Sequence, residues 1–66
     1  MFDTENYTDP STGITWSGTG EVLERISIYD WEEVVEGIDK DYNIWEASAS
    51  VSCGIIQEIY SPKLAD

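Results

Sequence analysis

Histidine is absent from this 66-residue chain, cysteine occurs once, proline twice, and only three side chains carry positive charge. Each shortage removes a class of explanation. Without histidine, acid–base catalysis near neutral pH loses its usual carrier, and the common zinc ligand sets lose their nitrogen donor. A single thiol, Cys53, cannot close an internal disulfide, so the fold lacks the covalent staple of many small domains. No segment approaches the run of roughly 20 apolar residues that a membrane-spanning helix needs. With Arg25, Lys40 and Lys63 as the only cations, the chain cannot neutralise a phosphate backbone, which disfavours direct binding to nucleic acid.

Acid is what the chain has in excess. Fourteen Asp and Glu residues give a formal net charge of -11. Solubility alone asks for a magnitude of about 2 to 8 in a small domain. The surplus strains a compact state by self-repulsion, and it suits a protein steered toward a cationic partner. The chain is no disordered acidic tail: 41% of it is hydrophobic and 12% aromatic, including Trp16, Trp31 and Trp45. One small domain of marginal stability is the expectation. The opening residues Met1 to Asn6 are acidic and polar where a secretory signal is basic and then apolar. The expected location is therefore cytoplasmic, the host cell's cytoplasm for a phage-encoded chain. Anionic lipid would repel it, so no membrane partner is expected. Asn6-Tyr7-Thr8 matches a glycosylation acceptor but carries little weight without an export signal.

Residues 1–13, rich in Asp, Thr, Asn, Ser and Gly, read as an irregular acidic arm with Phe2 and Tyr7 as its apolar anchors. Residues 14–66 read as a single α+β domain. Within it, Ile14 to Trp16, a turn at Ser17-Gly18-Thr19-Gly20 and a β-branched run from Glu21 to Tyr29 suggest a hairpin, with one long helix over 21–38 as the competing reading. In the longer arm Glu24 falls on the side of Val22, Ile26 and Ile28, which suggests an edge or a bend.

The strongest local signal predicts a helix over Asp30–Ile38. Asp30 can cap the first turn, Glu33 stands at the capping-box position, and Trp31, Val34, Val35 and Ile38 share a stripe at i, i+3, i+4 and i+7. From Asn43 to Cys53 the alternation is clean, with Trp45, Ala47, Ala49, Val51 and Cys53 on one side and Glu46, Ser48, Ser50 and Ser52 on the other, which predicts a half-buried strand and a buried thiol. Ile55 to Tyr60 reads as a further strand ended by Pro62. The resulting ββαββ order implies an α+β fold, a mostly antiparallel sheet of about four strands with one short helix on one face.

Three motifs point to chemistry and fail on inspection. Asp39-Lys40-Asp41-Tyr42-Asn43 matches the start of an EF-hand loop, but Ile44 stands where the turn glycine belongs and Ser50 where the bidentate glutamate belongs, so a turn ending the helix is the better reading and no metal is expected. Gly18-Thr19-Gly20 lacks the lysine of a phosphate-binding loop. Cys53 has no imidazole base to make it a nucleophile. The expectation is a protein with no catalysis and no cofactor.

Seven acids, Asp30, Glu32, Glu33, Glu36, Asp39, Asp41 and Glu46, fall within seventeen residues, with Lys40 the only compensating charge. Carboxylates spaced by a helical turn or by alternate strand residues lie about 5 to 7 Å apart and can imitate a row of phosphates. These seven, with Tyr42 as an aromatic anchor, form the candidate partner-binding set. In size and charge alone the chain resembles the small acidic inhibitors of phage counter-defence, anti-CRISPR or anti-restriction in type. That likeness implies a nucleic-acid mimic seated on a basic surface of a nucleic-acid-binding protein or complex. The alternative is a structural or accessory module that docks through its sheet edges or forms a homo-oligomer, using the small outer face of Ser48, Ser50 and Ser52.

Overall fold

The computed structural model describes residues 3–65; Phe2, expected to anchor the arm, lies outside them. Five strands follow one another in a simple meander: β1 (Tyr7–Thr8), β2 (Thr15–Arg25), β3 (Asp30–Ile38), β4 (Ile44–Ser52) and β5 (Ile55–Leu64). Each pairs antiparallel with the next, and the sheet curls into a half-barrel. Among the described residues there is no helix, so the expected α+β fold with its ββαββ order is overturned.

The correction turns on residues 30–38. Trp31 and Val35 satisfy both a helical and a strand period, and the residues that break the tie are Glu33 and Gly37. In the structure Trp31, Glu33, Val35 and Gly37 are buried at every second position, while Glu32, Val34, Glu36 and Ile38 face the other way. A nine-residue register with β4, from Asp30 opposite Ser52 to Ile38 opposite Ile44, gives the segment a ladder on its full length. That pairing outweighs the weak local preference of a short helix whose penultimate residue is glycine.

The glycines expected to turn the chain at 17–20 instead sit inside β2. The register with β3 slips between Gly18 and Val22 and again between Val22 and Glu24, so the segment bulges without reversing. Gly20 takes a φ of 88°, the Thr19 hydroxyl donates to the Val34 carbonyl at 2.7 Å, and the Gly20 amide donates to Glu33. The true reversal comes later, at 26–29, where the Ile26 and Ser27 amides donate to the Asp30 carbonyl at 2.9 and 3.0 Å.

β4 keeps the alternation read from the sequence, with Ala47, Ala49 and Val51 buried and Trp45 partly so. Cys53 departs from it. It occupies a two-residue turn with Gly54, φ 53° and 80°, and its thiol is exposed. Positive φ at both positions is the turn whose twist suits a hairpin. β5 runs through Pro62 to Leu64, tolerating it at the sheet edge, where Ser61 (φ 49°) and a register slip opposite Glu46 and Ser48 mark a bulge.

The concave face holds the core: Ile14, Trp16, Trp31, Val35, Ala47, Ala49, Val51 and Ile56, with Trp45 and Ile59 packed against it. Gly37 makes room for it, since a methyl group there would lie 2.6 Å from Ile14 Cγ2 and 2.8 Å from Trp16 Cε3. The arm crosses this face. Tyr7 and Thr8 pair with Trp16 and Thr15, the Glu5 amide donates to the Gly54 carbonyl at 2.8 Å, and Thr4 reaches Glu33.

Candidate binding surface

β3 and β4 alternate throughout, and the register carries their two faces across the bulges of β2 and β5, so each acid is assigned to a face. Glu24 of β2 stands opposite Glu32 of β3, and Glu32 stands in turn opposite Ser50 of β4, which is opposite Glu58 of β5. A second row runs from Ser17 through Glu36 and Glu46 to Lys63. Both rows, and Asp30 at the edge of the first, lie on the convex face, away from the buried tryptophans. Neighbouring strands are about 4.8 Å apart, so each row crosses four strands in about 14 Å. Glu24–Glu32 and Glu36–Glu46 are like charges placed directly opposite one another, an arrangement that costs stability.

Of the sequence-derived set, the structure brings Asp30, Glu32, Glu36 and Glu46 onto this face. Asp30 is tied down there: hydroxyls of Ser52 and Ser27 hold its carboxyl below the ordinary value, the Ser27 bond being 2.8 Å long. Glu24 and Glu58 belong to the same face and were not in the set. The signal for Glu24 was its misfit with Val22 and Ile26; even spacing puts Glu58 on the side of the buried Ile56, and only the register slip between Ser50 and Val51 turns it to the convex face.

Asp39, Asp41 and Tyr42 sit apart from these rows, in the β3–β4 turn. Asp39 organises it. Its carboxylate accepts the amides of Asp41 (2.8 Å) and Asn43 (2.9 Å), the Asn43 side-chain amide (3.1 Å) and the Trp45 indole (2.9 Å). The indole bond, foremost, pushes its pKa down to about 2; desolvation opposes it, and the Asn43 and Asp41 bonds add to the lowering. The D-x-D-x-N spacing thus builds a hairpin turn, with Tyr42 at φ 64° and 85% exposed at its tip.

Glu33 goes to the opposite face. It is only 4% exposed, and its partners among the described residues are all neutral: the Trp31 indole at 2.9 Å and the Thr4 hydroxyl at 2.5 Å on Oε1, and the Gly20 amide at 2.9 Å on Oε2. Burial opposes its ionisation, but the three donors prevail and hold the carboxyl below the ordinary value. It lines a cavity of about 310 Å³ under the arm, together with Asp3, Thr4, Gly18, Thr19, Gly20, Val22, Arg25 and Trp31. Glu33 therefore cannot belong to an outward acidic array, as its place in the sequence suggested.

No family model matches the chain, and no curated protein or solved structure does so either. The functional reading rests on the two faces themselves.

Proposed function

We propose that this protein is a non-catalytic acidic binding protein, an inhibitor or nucleic-acid mimic that uses its convex face to occupy a basic surface on a nucleic-acid-binding protein or complex. The observation that carries the reading is the placing of like charges opposite one another across strands, Glu24 with Glu32 and Glu36 with Glu46, the second pair only partly offset by Lys63 beyond Glu46. A 66-residue domain has little stability to spare, and directly opposed carboxylates cost some of it without helping the fold. A cationic groove that relieves the repulsion on contact turns that cost into binding energy and speeds encounter.

Affinity capture from a bacterial lysate, eluted with a salt gradient and followed by competition with duplex DNA, tests the reading. The expected partner elutes at moderate salt, is displaced by DNA, and associates more slowly with the doubly substituted Glu32→Lys, Glu36→Lys chain. A partner indifferent to salt, DNA and charge reversal would sink it.

Docking through sheet edges is the second reading, favoured by one observation: β1 covers only Thr15 and Trp16 of β2, so the rest of that edge has no strand beside it among the described residues. The bulges in β2 and β5 and Pro62 on the other edge act against it, since such irregularities discourage strand addition.

A further inference from the structure

We propose that the cavity beneath the arm is a binding site for an organic cation of the guanidinium or alkylammonium class. Glu33 is a carboxylate that is 4% exposed, and its partners among the described residues are all neutral donors. Buried charges are ordinarily paired, and this one instead faces a cavity of about 310 Å³. A cation entering that space meets a negative charge held in place by three bonds, with a second carboxylate, Asp3, on the cavity wall. The volume accommodates an arginine side chain or the end of a small polyamine and falls at the lower limit of ordinary ligand sites.

The chain's own Arg25 supplies the second observation. Its guanidinium lies over the Trp31 ring, 5.4 Å from the ring centroid, on the same cavity. The aromatic floor therefore already accepts a guanidinium at cation–π distance, and Arg25 acts as a tethered occupant that an incoming cation displaces or joins. Anions are poorly served here: the walls carry two carboxylates against one guanidinium, within a chain of net charge -11. A metal ion is poorly served too, because Glu33 Oε1 already accepts two hydrogen bonds.

The site extends the proposed function by giving a basic partner one anchoring side chain, and rests on that reading only for the source of the cation. Agmatine and the capped tripeptide acetyl-Gly-Arg-Gly-amide, each titrated into the full chain with urea as the neutral control, separate a free cation from a protein-borne one. The Gly20 amide and the Trp31 indole N–H, followed in proton–nitrogen correlation spectra, report on the cavity. Saturable shifts at both positions with agmatine support a site for free cations. Shifts with the tripeptide alone support a side-chain anchor. Arg25→Gln should bind the probe several-fold more tightly by removing the internal competitor, and Glu33→Gln should weaken it about tenfold or more. Should Glu33→Gln fail to fold, Asp3→Asn provides the test, with weaker binding expected. Absence of saturable shifts in both the wild-type chain and Arg25→Gln overturns the proposal, as does unchanged affinity in a folded Glu33→Gln chain or, where that chain does not fold, in Asp3→Asn. Because neither probe needs the convex face, these results stand apart from those of Glu32→Lys and Glu36→Lys.

Discussion

Trp31 donates its indole N–H to the carboxylate of Glu33, two residues along the same strand and on the same buried face, at 2.9 Å. The Thr4 hydroxyl, 29 residues from Glu33, supplies a second bond to the same oxygen. One acidic side chain thus joins the arm, the bulge of β2 and the core tryptophan of β3.

Replacing Glu33 with Ala should destabilise the protein by about 2 to 4 kcal/mol, since it strands the buried Trp31 indole N–H and takes from the Thr4 hydroxyl and the Gly20 amide the acceptor that ties the arm to the sheet. Urea denaturation at neutral pH measures this. Loss of less than about 1 kcal/mol would mean that water satisfies those donors.

Acid should weaken the fold. Glu33 and Asp39 both have carboxyls lowered on folding, Glu33 below 4.5 and Asp39 from 3.8 to about 2. A lowered carboxyl contributes stability that is present above its unfolded value and lost as pH falls through the folded one. Unfolding free energy should therefore decline from about pH 4.5 downward, with the contribution of Asp39 disappearing between 3.8 and about 2. Asp39→Asn should flatten the lower part of that profile, and an unaltered slope would remove Asp39 as its cause.

Gly37→Val should cost about 1 to 3 kcal/mol or more, because its side chain meets Ile14 and Trp16, whose rings and branches have no room to withdraw in a packed core. Gly20→Ala provides a contrast: nothing stands within 4 Å of the added methyl group, so its penalty comes from the φ of 88° alone. A thermal melt in which the two variants behave alike would contradict this separation.

Glu36→Lys should stabilise the isolated protein by up to about 0.5 to 1 kcal/mol, by turning a like-charged pair with Glu46 into an opposite one. The same change should slow association with a basic partner. A variant that gained stability and kept its association rate would separate the charge rows from binding.

Cys53→Asn should leave the fold intact and raise the melting temperature slightly, as Asn-Gly suits the positive φ of this turn better than Cys-Gly. In the unsubstituted native chain the thiol should react promptly with Ellman's reagent, in keeping with its exposure. Protection from the reagent would contradict the turn geometry.

β4 was legible because Trp45, Ala47, Ala49 and Val51 alternate with serine and glutamate, a pattern that fits no helical stripe, while β5 was legible only to Tyr60, since an edge strand carries Pro62 and runs on to Leu64. β3 was not. Trp31, Val34, Val35 and Ile38 form an equally good helical face, and the strand requires glutamate to point inward at 33 and glycine to fill a core position at 37. Both choices make sense only through distant partners: Gly20 and Thr4 for the carboxylate, Trp16 and Ile14 for the glycine. The acidic surface was half legible for the same reason. Its members on β3 and β4 are close in sequence, but Glu24 and Glu58 join them only through register.

The meander places every strand beside its neighbour in sequence. Kinetically, this means that each hairpin can close over a short loop and serve as the template for the next, without waiting for a remote segment to diffuse back. A chain with little thermodynamic margin thereby spends little time with its edges bare, and rapid closure shields those edges from aggregation in a way that equilibrium stability alone does not.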